Sequence, residues 1–521
     1  MFNYRAYIIA ITASIGAFLF GYDTGFIGGA VNLPSFERDF GITPQNRANT
    51  SANIVATLQA GCFFGTVAMS IGAKYIGRTR ALGLASFVFL IGAIVQCVTA
   101  SSVGVMYGGR IIAGLGIGAS SMLVPSYVAE IAPRFLRGKL TTFYAFMLYF
   151  SIMVSYWVDY GCKLGLPATG FWQWRVPIIL QVVPGVGLLV GSLFLKESPR
   201  WLITRGRNEE ALKNLAYVNM KKVDHPDIIA EYSEIFESSE QELRETEGAS
   251  WKELFNPRFR NQAFICFLIM LCQQLTGTIA FTYYAPQLFQ SVGLSSTSSS
   301  LFATGIYGIV KVVAAMISLF FVVDKVGRRV PLIIGALVMG TCLLILAILN
   351  TTKPPSDNGG VISGASIAMM VMIYLYVIGF ASTWGPIPFA VISEICPNRI
   401  RGYSVGIGLA TQWAFNYALT RTIPLALSNI GWRTFLMLSI WNYSLVLFTL
   451  FVIRETKHYP LEEIEELFTT GLFLPWRQAL KIRHEPYDNS RRQNLDDADR
   501  EMKENAEHIE KARVLEDMVE T

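Results

Sequence analysis

Twelve apolar runs punctuate the chain, near 7–30, 52–72, 82–102, 109–128, 141–161 and 176–196, then near 262–285, 301–323, 331–351, 366–390, 405–427 and 433–453. A hydrocarbon core of ~30 Å is crossed by a helix of about 20 apolar residues. Each run has that length. Of the 81 charged residues, 51 lie in 197–260 and 454–521, so the remaining 389 residues hold 30. A soluble surface wants about 25% charge. A soluble enzyme, a nucleic-acid binder and a disordered chain are therefore excluded. The pattern implies an all-α membrane protein with an organisation of 1–196, a six-helix half; 197–260, a helical linker; 261–453, a second six-helix half; and 454–521, a tail whose distal part is expected to be disordered.

The net charge of +5 hides a split: the apolar body carries 22 basic and 8 acidic residues, while the two charged segments sum to −9. Basic residues concentrate in the short connections of one side, among them Lys74, Arg78, Arg137, Arg328 and Arg401. The richer side is expected to be cytoplasmic, and an even number of spans places both termini there too. The sequons at Asn49 and Asn350 then fall outside. With only six residues before the first run, no cleavable signal is expected. Seven cysteines and four histidines (225, 458, 484, 508) show no metal-ligand spacing. Neither a metal nor a cofactor is called for.

The strongest internal signal is a repeat. Glu130-Ile-Ala-Pro-Arg-Phe-Leu-Arg137-Gly138 is answered by Glu394-Ile-Cys-Pro-Asn-Arg-Ile-Arg401-Gly402, Lys74-Tyr-Ile-Gly77-Arg78 by Asp324-Lys-Val-Gly327-Arg328, and Glu197 by Glu455. Three matches in the same order imply two homologous halves. Such halves place a substrate site at their interface near the midplane and alternate its access by rocking.

Several segments carry a family resemblance: Phe20-Gly-Tyr-Asp23-Thr-Gly25, Gly109-Arg110, Pro125-Ser-Tyr127-Val-Ala-Glu130, Glu197-Ser-Pro-Arg200-Trp201-Leu202, Gln273-Gln274-Leu-Thr-Gly277 with Tyr283-Tyr284, and Trp384-Gly-Pro386-Ile-Pro388. In this order, from about Tyr7 to Phe468, they resemble sugar porters of the major facilitator superfamily. The stretch Gly308-Ile-Val-Lys311-Val-Val is most similar to the fungal branch of quinate, galacturonate, pentose and hexose permeases. The resemblance implies twelve transmembrane helices in two pseudo-symmetric halves, and a plasma-membrane symporter importing a monosaccharide, polyol or sugar acid with a proton. A passive facilitator and a quinate- or galacturonate-type permease are the alternatives, and a non-transporting sensor a more distant one.

It also implies roles. Asp23 and Arg110 form the coupling pair; an Arg beside the Asp favours its ionised form, and moving it away favours the protonated one. A static ion pair is the competing reading, since charges within spans need partners in any case. Gln273, Gln274, Trp413 and Asn416, lined by Phe20, Phe389, Tyr283 and Tyr284, form the expected substrate wall. Amides suit vicinal hydroxyls and aromatic faces suit the C–H face of a ring. Arg78, Glu130, Arg137, Glu197, Arg328, Glu394, Arg401 and Glu455 form the expected gating network, which would lock the halves when the site faces outward.

Three substrate positions depart from the family: Ile279 and Ile152 replace amides, and Phe389 replaces a Trp. Lys74 replaces the acidic residue that Asp324 retains, which predicts a weaker lock in the first half. Lys311, in the eighth run, is positioned either to meet a carboxylate on an acidic substrate or to sit at a helix interface, where it snorkels or pairs internally. Gly114, Gly116 and Gly118 follow no strand, and Gly114 and Gly118 read as helix packing rather than a dinucleotide loop.

Overall fold

The computed structural model describes residues 3–99, 102–133, 136–294, 296–319, 326–354 and 363–456. Asp324 and the tail from residue 457 lie outside the described residues, as do the expectations placed on them.

Among the described residues, ten helices are long and apolar enough to cross a membrane. In chain order they are span 1 (Tyr4–Ala30), span 2 (Arg47–Ile76), span 3 (Arg78–Val98), span 4 (Val103–Ile131), span 5 (Arg137–Gly165), span 6 (Trp172–Phe194), span 8 (Thr297–Ile317), span 9 (Arg329–Thr352), span 10 (Gly364–Ile395) and span 12 (Arg433–Phe451). The other two crossings are span 7, built from Arg260–Leu275, Thr278–Tyr283 and Ala285–Ser291, and span 11, Asn398–Ile430. Span 7 is broken at Gly277, so no piece of it is long enough to cross alone, and span 11 is less apolar because it carries buried Thr411, Asn416 and Thr420. The protein thus has the twelve-helix fold that the runs and the resemblance imply. Several spans exceed their apolar runs by a turn or more, since helical hydrogen bonding continues past the last apolar residue.

Small residues let the spans interlock. A Cβ at Gly114 or Gly118 of span 4 would lie 2.2 or 2.1 Å from the carbonyl oxygens of Leu58 and Cys62 in span 2, so backbone rests on backbone. Span 1 meets span 5 through Gly21, Gly25 and Gly29, which face Ser151, Ser155 and Asp159; each set is spaced by four residues. Between the halves, span 2 packs on span 11 and span 5 on span 8. A six-span repeat maps each of these contacts onto the other.

Between the halves, residues 197–260 form helices Pro199–Thr204, Asn208–Asn219 and Pro226–Thr246 and a short turn Trp251–Phe255. Ser198 caps the first by accepting from the Trp201 amide, with Pro199 at its opening position. Ala211, Leu212, Leu215 and Val218 stand at helical spacing in the sequence; Leu212 is half-buried and the other three are buried. The Val218 carbonyl accepts from Asn3 Nδ2 at 2.8 Å, tying the linker to the start of span 1. This side of the bundle is the linker face, and the opposite one the far face.

Candidate functional site

Asp23 and Arg110 lie at similar depth in spans 1 and 4 and are wholly buried. Arg110 Nη1 donates to both carboxylate oxygens, at 2.9 and 3.0 Å, and Nε donates to the Ile54 carbonyl of span 2 at 3.1 Å. Nη2 has no hydrogen-bond partner among the described residues. One nitrogen bridging two oxygens lacks the parallel fork that makes Arg–carboxylate pairs strongest. The pair is neutral as a unit, which makes its burial in a span tolerable.

Two broken helices shape the region beside it. Span 7 breaks at Gly277, whose φ of +89° is the left-handed region that favours glycine. The carbonyl freed at Thr276 accepts from Tyr376 of span 10 and Asn442 of span 12, both at 2.9 Å. Span 10 passes through a wide turn at Phe380–Trp384 ahead of Gly385 and Pro386. The carbonyls of Trp384 and Gly385 accept from Gln273 Nε2 at 3.0 and 3.1 Å. Irregular backbone at membrane depth needs such partners, which these side chains supply.

The expected substrate residues are spread over several settings. Phe20 of span 1 and Trp413 of span 11 meet across the halves, with centroids 5.2 Å apart and planes tilted by 56°. Gln274 stands beside Gln273 and donates to its Oε1 at 3.4 Å. The amide nitrogen of Gln273 is committed to the span 10 break. Asn416 Oδ1 accepts from Thr420, and the Tyr284 hydroxyl donates to the Thr420 carbonyl, so these two support span 11. Phe389 is 38% exposed. Tyr283 accepts from Gln59 of span 2 at 2.8 Å. A cleft on the far face, bounded by Arg47, Gln287, Asn350 and Trp432, includes none of the expected substrate residues.

Among the described residues Lys311 meets no carboxylate, and rather than snorkelling it pairs internally between spans 7 and 8. The residue is 3% exposed; its ammonium donates to Thr282 Oγ1 at 2.9 Å and lies 5.6 to 5.9 Å from the ring centroids of Tyr149, Tyr307 and Phe380. The Tyr149 hydroxyl packs on Gly385, whose carbonyl Gln273 holds. Lys311 therefore adjoins the wall that the Gln pair defines.

Hydrogen bonds that join the halves toward the far face include Gln59 to Tyr283, Tyr156 to the Thr282 carbonyl at 2.6 Å, and Arg421 to Asn49 at 3.1 Å. On the linker face the repeated charges pair within each half. Arg78 binds Glu130 at 3.1 Å in the first, and Arg328 binds Glu394 at 2.8 Å in the second. Glu197 and Glu455 accept from the backbone amides that open spans 3 and 9, where a helix N-terminus favours an anion. Arg401 Nε donates to the Cys396 carbonyl, while Arg137 begins span 5. Lys74 sits 5.7 Å from the Tyr403 ring of span 11, a contact between the halves that the loss of an acid did not foretell.

Sequence reasoning missed Asp159. It is one of the eight carboxylates of the apolar body, and that scarcity was the available signal. It is fully buried in span 5, and neither oxygen has a hydrogen-bond partner among the described residues.

The two interlocked six-helix halves, with broken helices and buried charge at the seam, define a membrane transporter of the major facilitator type. Residues 9–468 match the family described as "Sugar (and other) transporter". The chain belongs to that family. It is 34% identical over 479 residues to a probable quinate permease of Aspergillus fumigatus, covering 90% of this chain and 88% of the relative. A probable quinate permease of Aspergillus niger is 34% identical over 494 residues, covering 92% and 91%. Among solved structures, the proton:xylose symporter XylE bound to 6-bromo-6-deoxy-D-glucose is similar with a TM-score of 0.73 and 29% identity, over 90% of this chain and 100% of that one. A partially occluded inward open conformation of the xylose transporter XylE from E. coli gives a TM-score of 0.72 at 27% identity, over 88% and 99%.

Proposed function

We propose that the protein is a proton-coupled symporter that imports a polyhydroxylated ring, a monosaccharide or a related polyol or sugar acid, across the plasma membrane by alternating access. The linker face and both termini are cytoplasmic on this reading, as the excess of basic residues there supports. The observation that carries it is the buried Asp23–Arg110 pair, one guanidinium nitrogen against two carboxylate oxygens. A carboxylate that keeps its cation stays ionised, and one that loses it inside the membrane takes up a proton. Movement of span 4 relative to span 1 would convert one state to the other.

The proton supplies enough energy for the task. Each 100 mV contributes ~2.3 kcal/mol per charge and each pH unit ~1.4 kcal/mol. Together these sustain a gradient of several hundredfold for one proton per substrate. The similarity to a proton:xylose symporter supports the same reading. Asp23→Asn should abolish uphill accumulation and spare counterflow exchange of labelled substrate. Unchanged accumulation in energised cells refutes Asp23 as the coupling group, whereas the alternative of a passive facilitator would show in the wild type as no uphill accumulation and no uptake-linked alkalinisation of the medium.

A second reading narrows the substrate to an acid. Lys311 supports it, because a buried ammonium whose hydrogen bond goes to a neutral hydroxyl has unused capacity for an anion. The replacement of two family amides by Ile152 and Ile279 points the same way, since it removes hydrogen bonds a neutral hexose would use. The similarity to probable quinate permeases agrees with it.

A further inference from the structure

Asp23 and Asp159 are the carboxylates of the spans that are wholly buried among the described residues, and their surroundings are opposite. Asp23 faces a guanidinium. Asp159 sits in the notch left by Gly29 of span 1, where an added Cβ would lie 2.0 Å from Oδ2, and neither of its oxygens accepts a hydrogen bond. The polar groups beside it are neutral, and among the described residues no cation of the surrounding spans pairs with it. From span 1 comes Tyr22, whose hydroxyl donates to the Pro177 carbonyl of span 6. On its own helix are Tyr156, which donates to the Thr282 carbonyl, and Cys162. Arg110 of span 4 is held by Asp23. Arg175 of span 6 lies over the Phe171 and Trp174 rings and donates to the Thr99 carbonyl. On span 8, Tyr307 faces Tyr156, and Lys311 donates to Thr282.

An ionised carboxylate without a cation or a donor is the costliest group a membrane interior can hold, whereas a carboxylic acid in the same place is merely an unsatisfied polar group. Two carboxyls in contrasting environments divide the protonation states between them. The location adds a second argument. One residue before Gly29, Gly28 lies against the Tyr283 carbonyl of span 7, and two residues before Asp159, Trp157 lies against Gly305 of span 8. Both contacts join the halves toward the far face. Asp159 is thus directly behind the seam that must part when that face opens.

We propose that Asp159 is a second proton-binding site, separate from Asp23, that must hold a proton for the halves to close on the far face. On opening, water reaches the carboxyl, its O–H bond breaks and the proton passes to that water. On closing, one proton from far-face water re-forms the bond before the carboxyl is buried. Rising pH on the far face therefore favours the open seam.

The test uses the full-length protein in lipid vesicles, with readouts that need neither a substrate nor the coupling assigned to Asp23. Infrared difference spectra should show the carbonyl band of a buried protonated carboxyl in the wild type, lost in Asp159→Asn and kept in Asp23→Asn. Hydrogen exchange at the far end of span 5, corrected for intrinsic pH dependence, should rise with pH in the wild type and lose that rise in Asp159→Asn. A band untouched by Asp159→Asn, or one removed by Asp23→Asn, overturns the proposal, as does a pH response unchanged by Asp159→Asn. Should Asp159→Asn fail to accumulate, the band in Asp23→Asn decides: present, the proposal stands; absent, it falls.

Discussion

Gly77 and Gly327 occupy matching places in the two halves, with φ of +96° and +97°, each directly against the carboxylate that closes its own half. A Cβ at Gly77 would lie 2.6 Å from Glu197 Oε2, and one at Gly327 2.8 Å from Glu455 Oε2. With ψ at 165°, Gly77 sits in a backbone region that is essentially glycine-only, where another residue costs ~1–3 kcal/mol. Substitution at either position also displaces the carboxylate from the amides it caps. Gly77→Ala and Gly327→Ala should each lower the thermal unfolding midpoint in detergent. A midpoint unchanged in both would show that neither turn constrains its half.

These turns are legible in the amino-acid sequence because the chain states them twice. Glu130 and Glu394, Arg78 and Arg328, Glu197 and Glu455 stand out as pairs, and the pairing points to a shared geometry. Asp159 has no such echo. Its significance depends on the register in which Gly21, Gly25 and Gly29 meet Ser151, Ser155 and Asp159, and helical periodicity gives each spacing without saying which helices face each other. Gln273 is visible as part of a motif, but its bonds go to carbonyls exposed by the break at Gly385 and Pro386, a feature of another span.

The Asp23–Arg110 pair should show strong energetic coupling. Removing Asp23 leaves Arg110 charged and buried, since a guanidinium cannot shed its proton, which costs about 3–5 kcal/mol, whereas removing both charges leaves none stranded. Asp23→Asn should therefore destabilise more than Asp23→Asn with Arg110→Gln together. Thermal unfolding of the two single variants and the double variant checks it. Additive losses would mean that the pair is not energetically linked.

On the linker face, Arg399 makes a two-point contact with Glu253, Nε to Oε2 at 2.7 Å and Nη2 to Oε1 at 2.8 Å. The hydrogen bonding and charge of Arg399 hold the Glu253 carboxyl below the usual carboxylate range. A depressed value means that the contact is fully present above the unfolded glutamate value of about 4.3 and is lost as pH falls through the lower folded value. The linker segment around 245–255 should stay protected from proteolysis down to about pH 4 and become susceptible below it. Glu253→Gln should raise susceptibility at neutral pH and abolish the acid step. A step that persists in Glu253→Gln would assign it to another group.

Lys311 offers the sharpest test of substrate class. The ammonium has three donors, and Thr282 uses one. If an acidic ring binds here, its carboxylate completes the shell of a cation already stripped of water, an interaction worth about 1.5–3 kcal/mol, or roughly 10- to 150-fold in affinity. Quinate and galacturonate should then outcompete neutral hexoses and pentoses for labelled uptake by the wild type. Lys311→Met, similar in length and apolar, should erase that advantage by at least about tenfold while leaving competition by neutral sugars within about twofold. Equal losses for acids and neutral sugars would instead assign Lys311 to holding Thr282 of span 7 in place. In that case Lys311→Met would slow transport of every substrate alike, because Thr282 also receives Tyr156 through its carbonyl and so belongs to the seam between the halves.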